Sequence, residues 1–267
     1  MAGSHDRSVR NFGLALGLDY RLTPNTVVGF ALSGGSTNYS LAGGYGSGHS
    51  DMFQAAIYSS THINAAYLSA VLAYGWHHVT TSRYVTVAGS DNLTADFNAY
   101  DVGGRLEGGY RFVVPGIFDS RTIGVTPYAA VQLQAFRTPA YSEVATSGAP
   151  TFALSYEART TTTLRTELGT WLDKRYGLDR DSALLLFGRV AWAHDTYSDP
   201  SVVASFQALP GSSFTEFGAA PVRDSLLLTA GAELSMRNGW AVMAKLDGEV
   251  ANGSNTYSGT VRLRYAW

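Results

Sequence analysis

The sequence predicts an all-β fold: an antiparallel transmembrane β-barrel, with about eleven strands present of an expected twelve. Three observations point there. Apolar and polar residues alternate through segments of ten residues or more, the period of a pleated strand and not of a helix. Charged residues are 15% of the chain and aromatic residues 12%, against roughly 25% charged in an average soluble domain, yet no run approaches the roughly 18 consecutive apolar residues of a membrane-spanning helix. Short and long connections follow in turn, as in barrels with tight inner turns and long outer loops.

The first alternating segment runs from Asn11 to Leu22. Phe12, Leu14, Leu16, Leu18, Tyr20 and Leu22 take one face; Asn11, Gly13, Ala15, Gly17, Asp19 and Arg21 take the other. About twelve residues at ~3.3 Å each suit a tilted membrane crossing. Thr23-Pro24-Asn25-Thr26 supplies turn chemistry, and Val28, Phe30 and Leu32 resume the alternation. The signature returns at Ser50 to Ser60, Ala65 to Thr80, Leu93 to Phe112, Thr122 to Thr138, Phe152 to Asp173, Ala183 to Thr196, Ser225 to Met236, Trp240 to Val250 and Asn255 to Trp267.

Thr23 to Thr26, His62 to Asn64, Val113 to Arg121, Arg175 to Asp181 and Arg237 to Gly239 read as periplasmic turns. Ala42 to His49, Thr81 to Asn92, Pro139 to Thr151 and Ser198 to Arg223 read as outer loops, with Asn252 to Ser254 the one short connection on that side. The last strand then ends in the periplasm and the first descends from the outer surface, so a rising strand is expected before it. Bacterial single-chain barrels have even strand numbers, because lipid cannot hydrate an unpaired edge.

Other classes are excluded or set aside by composition. A mean hydropathy of −0.02 is what interleaved lipid-facing and lumen-facing residues give. The absence of Cys removes disulfides, thiolate metal sites and cysteine nucleophiles. A net charge of −2 offers nucleic acid no basic face. Met1 to Arg10 contain no apolar export segment, so residues 1–10 read as a linker remnant of a longer polypeptide and 11–267 as the barrel. A soluble β-sandwich binding module would show strands of only about five or six residues.

The ionisable residues of several strands share the inward phase. They are Arg105, Glu107 and Arg111; Arg165, Glu167 and Asp173; Lys245, Asp247 and Glu249; and Arg189, Asp195 and Glu233. Inward placement is demanded by lipid, where a mid-bilayer Arg or Lys costs about 2–4 kcal/mol. Such a lining also suits guidance of an extended polypeptide. For an outer-membrane barrel enzyme, the rival reading together with a passive porin, the only plausible group is His77, His78 and His194 with Asp195. His78 and His194 fall on the lipid-facing phase beside Trp76 and Trp192, which favours an interfacial girdle over catalysis. No catalytic residue, metal ligand set or cofactor is assigned: the six His residues are scattered and form no helical metal pair.

The closing strand SGTVRLRYAW places Tyr257, Gly259, Val261, Leu263, Tyr265 and Trp267 on one phase and ends on an aromatic residue. It resembles the terminal signal read by the barrel assembly machinery. Segments GLALGLDYRLTPNTVVGFAL, RLEGGYRF, TPYAAVQLQAFRTPAYSE, TLRTELG, GRVAWAHD and FQALPGSSF, in this order, resemble the autotransporter β-domain of type V secretion. The Phe136-Arg137-Thr138-Pro139 step, Arg165-x-Glu167-Leu168-Gly169, and Gly188-Arg189 with Ala191-Trp192-Ala193 are the specific features. The resemblance implies a twelve-stranded barrel in the bacterial outer membrane, threaded by an N-terminal helix and joined to a secreted passenger. Its partners would be membrane lipid, the assembly machinery and that passenger, with no enzymatic activity in the barrel. The resemblance further implies that a first strand, the pore helix and the passenger would precede these residues.

Overall fold

The structure, a computed structural model, describes residues 7–87, 89–115, 122–198, 201–218 and 222–267. Alternating apolar and small polar residues favour extended backbone with two unlike faces, and the chain takes this up as one long meander. Its main strands are β1 (Arg7–Thr23), β2 (Thr26–Leu41), β3 (Gly46–Ile63), β4 (Ala66–Val85), β5 (Asp91–Tyr110), β6 (Thr122–Thr138), β7 (Arg159–Gly177), β8 (Ser182–Tyr197), β9 (Asp224–Met236), β10 (Trp240–Ala251) and β11 (Ser254–Tyr265). Each pairs antiparallel with the next in a single curled sheet. The ladder begins at Arg7, ahead of the predicted Asn11, because Ser8, Val9 and Arg10 lie opposite Ser40, Tyr39 and Asn38.

β1 and β11 are the edges of this sheet, and among the described residues no ladder joins them. The curl still brings them near each other. Arg262 of β11 acts electrostatically on Tyr58 of β3. Trp267 lines a groove of about 750 Å³ together with Leu18, Tyr20, Phe30, Ile57 and Leu72.

The tight connections are built as their residues dictate. Asn25 donates its backbone N–H to the Thr23 hydroxyl at 3.3 Å in the first. Asn64 adopts φ 55° between β3 and β4, and Gly239 adopts φ 89° between β9 and β10, the left-handed region that Asn and Gly tolerate best.

Register defines the two faces. Arg105 lies opposite Gln132, Gln132 opposite Arg165, and Arg165 opposite Asp195. Ion pairs that skip strands, such as Arg165 with Glu249 across β8 and β9, mark this face as the concave one. The convex face is apolar and open, with Leu133, Leu168 and Leu246 each more than half exposed. Continuous apolar exposure on this scale needs a lipid or protein cover. On β5, Tyr100 and Tyr110 bracket the outward apolar stretch. Ten residues at ~3.3 Å, tilted by about 40°, set them roughly 25 Å apart along the membrane normal, the height of a barrel's apolar band. Trp76 and Trp192 lie toward the long-connection end, and Tyr20, Tyr176, Trp240 and Tyr265 toward the tight-turn end, as two aromatic girdles.

The long connections depart most from expectation. Ala42 to His49 is a short 3₁₀ turn, Ala42–Gly44, after which β3 begins at Gly46. Thr81 to Asn92 is mostly strand, since β4 continues to Val85. The predicted Leu93 to Phe112 strand is interrupted only at Arg111, whose N–H bonds the Ala65 carbonyl at 2.7 Å beyond the Ala66–Tyr110 pair; Phe112–Pro115 then continues against β6 in the register that Gly109 and Tyr128 set. Residues 116–121 of the predicted turn lie outside the described residues, as do 199–200 and 219–221 of the longest loop.

The predicted loops Pro139 to Thr151 and Ser198 to Arg223, with the start of the predicted Phe152 to Asp173 strand, contribute to a second sheet. Its strands are Ser213–Phe217, Ser201–Phe206, Leu154–Tyr156 and Tyr141–Ser142, in that spatial order. This small sheet packs on the concave face. Tyr141 stacks on Phe97 of β5 at 4.1 Å, and Tyr156 stacks on Tyr141 at 4.6 Å. Leu93 and Ala99, inward residues at the same end of β5, are fully buried.

Candidate functional site

The concave lining is a set of side chains projected by alternate positions of β5, β7, β8, β9 and β10. Arg105 donates from Nη1 and Nη2 to the two oxygens of Glu167 at 2.6 and 2.9 Å, and from Nη2 to Glu107 at 2.6 Å. The Tyr128 hydroxyl donates to Glu167 at 3.2 Å and the Tyr67 hydroxyl to Glu107 at 2.8 Å. Arg189 stands 3.7 Å from Glu167, lies over the Trp171 ring at 5.2 Å, and donates to the Thr229 hydroxyl at 3.2 Å. That hydroxyl donates to Asp247 at 2.7 Å, which also receives Lys245 at 2.7 Å.

A second Arg organises the neighbouring cluster. Arg165 forks onto Asp195 at 2.8 and 2.6 Å and onto Glu249 at 3.3 and 2.7 Å. Ser225 and Tyr197 complete the carboxylates' shells at 2.9 and 3.0 Å. Glu167 and Asp195 are only 4% and 3% exposed. A lone charge so placed would cost several kcal/mol, on the order of 3–5, and two-pronged Arg contacts remove that cost. Gly169 makes the packing possible, since a Cβ there would lie 2.4 Å from the Ala191 Cβ and 2.8 Å from the Tyr128 ring.

The other sequence-predicted positions stand apart from these clusters. Arg111 pairs with Asp173 at 2.6 Å toward the tight-turn end. Glu233 receives Arg262 at 2.7 Å and Arg264 at 3.1 Å, both reaching over β10 from β11. On β11, Gly259, Val261, Leu263 and Tyr265 share the outward phase; Trp267 follows beyond the strand, and all five are exposed. Tyr265 packs on Trp240 at 4.9 Å and Trp267 beside Tyr265 at 6.4 Å.

The histidines do not converge. His194 bonds Asp224 at 2.9 Å, whereas Asp195 faces the other way into the Arg165 cluster. His78 bonds Asn98 at 3.1 Å on the convex face, while His77 turns inward to Asp101 at 2.7 Å. Among the described residues no grouping of three or more His, Asp or Glu is arranged to hold a metal.

A family profile described as Autotransporter beta-domain matches residues 2–247. The chain belongs to the autotransporter β-domain family. It is therefore the outer-membrane translocator portion of an autotransporter. Two proteins of Serratia marcescens, each named extracellular serine protease, are 27% and 26% identical to it over 259 residues. These matches take in 96% of this chain but only 23% of each relative's length. In fold, the chain is similar to the β domain of the Bordetella autotransporter Brka, with TM-score 0.74 at 19% identity over 98% of this chain and 92% of that one. The translocator domain of NalP from Neisseria meningitidis gives 0.73 at 18% identity, covering 97% and 82% respectively.

Sequence reasoning missed several partners in this autotransporter lining. Tyr67, Tyr128, Arg262 and Arg264 share the inward phase of the predicted charges, so alternation was a signal that would have found them. The bidentate pair of Arg83 with Glu143, at 2.9 and 2.5 Å, had no such signal, because Glu143 lies in a segment without period.

Proposed function

We propose that this β-domain exports and then anchors the passenger joined to its N-terminal side, with residues 7–267, whose ladder begins four residues ahead of the expected boundary at 11, as the translocating unit and 1–6 as the link toward the passenger. The concave residues Arg105, Glu107, Arg111, Arg165, Glu167, Arg189, Glu233, Lys245, Asp247 and Glu249 face the passing chain. One observation supports this best: from β5 to β10 the cationic groups Arg105, Arg165, Arg189 and Lys245 are matched by Glu107, Glu167, Asp195, Asp247 and Glu249 within hydrogen-bonded clusters. With four cations against five carboxylates, a lining balanced within itself to one charge has little field to trap a polypeptide of either sign, yet it stays polar enough to remain wetted. Such a surface performs no bond chemistry, and the barrel is read as non-catalytic.

The outward residues Gly259, Val261, Leu263, Tyr265 and Trp267 are assigned to recognition by the barrel assembly machinery, supported by their exposure along a free edge strand. The test compares Trp267→Ala with His78→Ala in cells, reading folded outer-membrane barrel by its heat-modifiable migration. Trp267→Ala is expected to lower the folded yield several-fold and His78→Ala to leave it unchanged; equal yields would remove the assignment.

A further inference from the structure

The small sheet formed by Tyr141–Ser142, Leu154–Tyr156, Ser201–Phe206 and Ser213–Phe217 stands where the passenger has to leave. Tight turns mark the periplasmic end of an outer-membrane barrel and long connections its outer end, and all four strands belong to long connections. Their contacts reach inward-facing residues on widely separated strands. Tyr141 stacks on Phe97 of β5 and interacts electrostatically with Tyr39 of β2. Glu143, beside it, takes the fork of Arg83 from β4. On the far side, Arg159 of β7 donates to the Ser201 carbonyl and hydroxyl. The sheet thus spans the concave face from β2 to β7.

Its attachment is specific. Glu143 is 3% exposed and its carboxylate is filled: besides Arg83 it accepts the Leu154 N–H at 3.0 Å and the Tyr156 hydroxyl at 3.3 Å. Gln207 donates to the Glu143 and Leu154 carbonyls at 2.7 and 3.1 Å, tying the adjoining strands together. Beneath the sheet, the inward residues Leu93, Ala95 and Ala99 are at most 3% exposed, whereas the buried Ala130, Ala191, Ala193 and Leu227 farther round the concave face lie among the ion pairs. An apolar floor under an aromatic stack is a seal rather than a channel wall. Two of the sheet's connections to the barrel, Pro139-Ala140 and Glu157-Ala158, are short links that belong to no strand.

We infer that this sheet is a lid on the outer mouth of the pore, latched to β4 by Arg83–Glu143 and sealed by the Phe97–Tyr141–Tyr156 stack, which swings outward while a polypeptide is in transit and closes once it has passed. The inference rests on the translocator reading. The latch is not the whole attachment: Val144–Ser147, between Tyr141 and Leu154, pairs with β5 at Asn92, Leu93 and Thr94, and Arg159 holds Ser201, so the swing also parts these bonds, whose donors and acceptors find water as the sheet moves away.

The experiment uses the native full-length polypeptide in outer membranes. In the completed protein, Ala99→Cys should react slowly with a membrane-impermeant maleimide added outside, and Glu143→Gln should raise that rate at least tenfold while heat-modifiable migration shows the barrel intact. Equal rates in the two backgrounds overturn the lid. A second arm carries Phe97→Cys with Tyr141→Cys and a short thiol cross-linker. The completed protein should cross-link readily, and a form whose passenger is halted part-way, shown by protease shaving to protrude, should cross-link at least tenfold less. Undiminished cross-linking with a protruding passenger overturns the gate and leaves the translocator standing. Failure of the unmodified polypeptide to display any passenger counts against the translocator instead, and the Ala99 arm still reads the lid.

Discussion

Replacing Glu167 by Ala tests whether the concave ion network holds the barrel together. Glu167 is 4% exposed and accepts from Arg105 at 2.6 and 2.9 Å and from Tyr128 at 3.2 Å. Deleting one partner of a buried pair costs about 3–5 kcal/mol, chiefly from the charge left behind. Arg105 keeps Glu107 at 2.6 Å and its side chain is 23% exposed, so the stranded charge is partly compensated. The expectation is therefore about 3 kcal/mol for Glu167→Ala, near the lower end of that range. Glu167→Gln keeps the volume and one acceptor oxygen but loses the charge and one of the two oxygens that Arg105 uses, for about 1–3 kcal/mol. Asp181→Ala serves as control, because its pair with Arg237 has side chains 70% and 81% exposed and contributes under about 0.5 kcal/mol. Urea unfolding in lipid vesicles, followed by tryptophan fluorescence, gives all three; Trp171 lies beside the cluster through Arg189 and Tyr128. If Glu167→Ala and Asp181→Ala agree within about 0.5 kcal/mol, the reasoning is refuted.

Three further outcomes follow from the geometry. Leu133→Arg, on the convex face, should destabilise by about 2–4 kcal/mol in the same unfolding assay, whereas Gln134→Arg next to it should cost much less, since it faces Asp101 at 3.4 Å; comparable losses would reverse the face assignment. Gly169→Ala should cost about 1–3 kcal/mol through contact with Ala191 and Tyr128, while Gly177→Ala, with nothing within 4 Å, should be near neutral. The Tyr141 phenol is pushed up to about 12, by burial first and then by Glu143 and Tyr39. A folded-state value above the unfolded one means that its contribution to stability is whole below about pH 10 and is lost as pH rises through 12. The phenolate absorbance removed by Tyr141→Phe should thus titrate near pH 12; a midpoint near 10 would show that the lid leaves this ring in water.

The strands and their faces were legible in the sequence. Phe12 to Leu22 declares its two faces by alternation alone, because the pleat fixes where every second side chain goes whatever the partner strand is. The same rule told which way Arg105, Glu167 and Lys245 point, since lipid rejects them from the other side. Alternation cannot say which inward residue meets which. Arg165 finds Glu249 across two intervening strands because the sheet curls, and curvature is a property of the whole ladder and not of any one segment. Nor can it find the lid. Tyr141, Glu143, Leu154 and Ser201 sit in short pieces separated by turns, too brief for a period to show, and they become a sheet only when the barrel brings their ends together over one mouth. The local pattern of side chains therefore determined the wall of this protein, and the contacts between distant loops decided what stands across it.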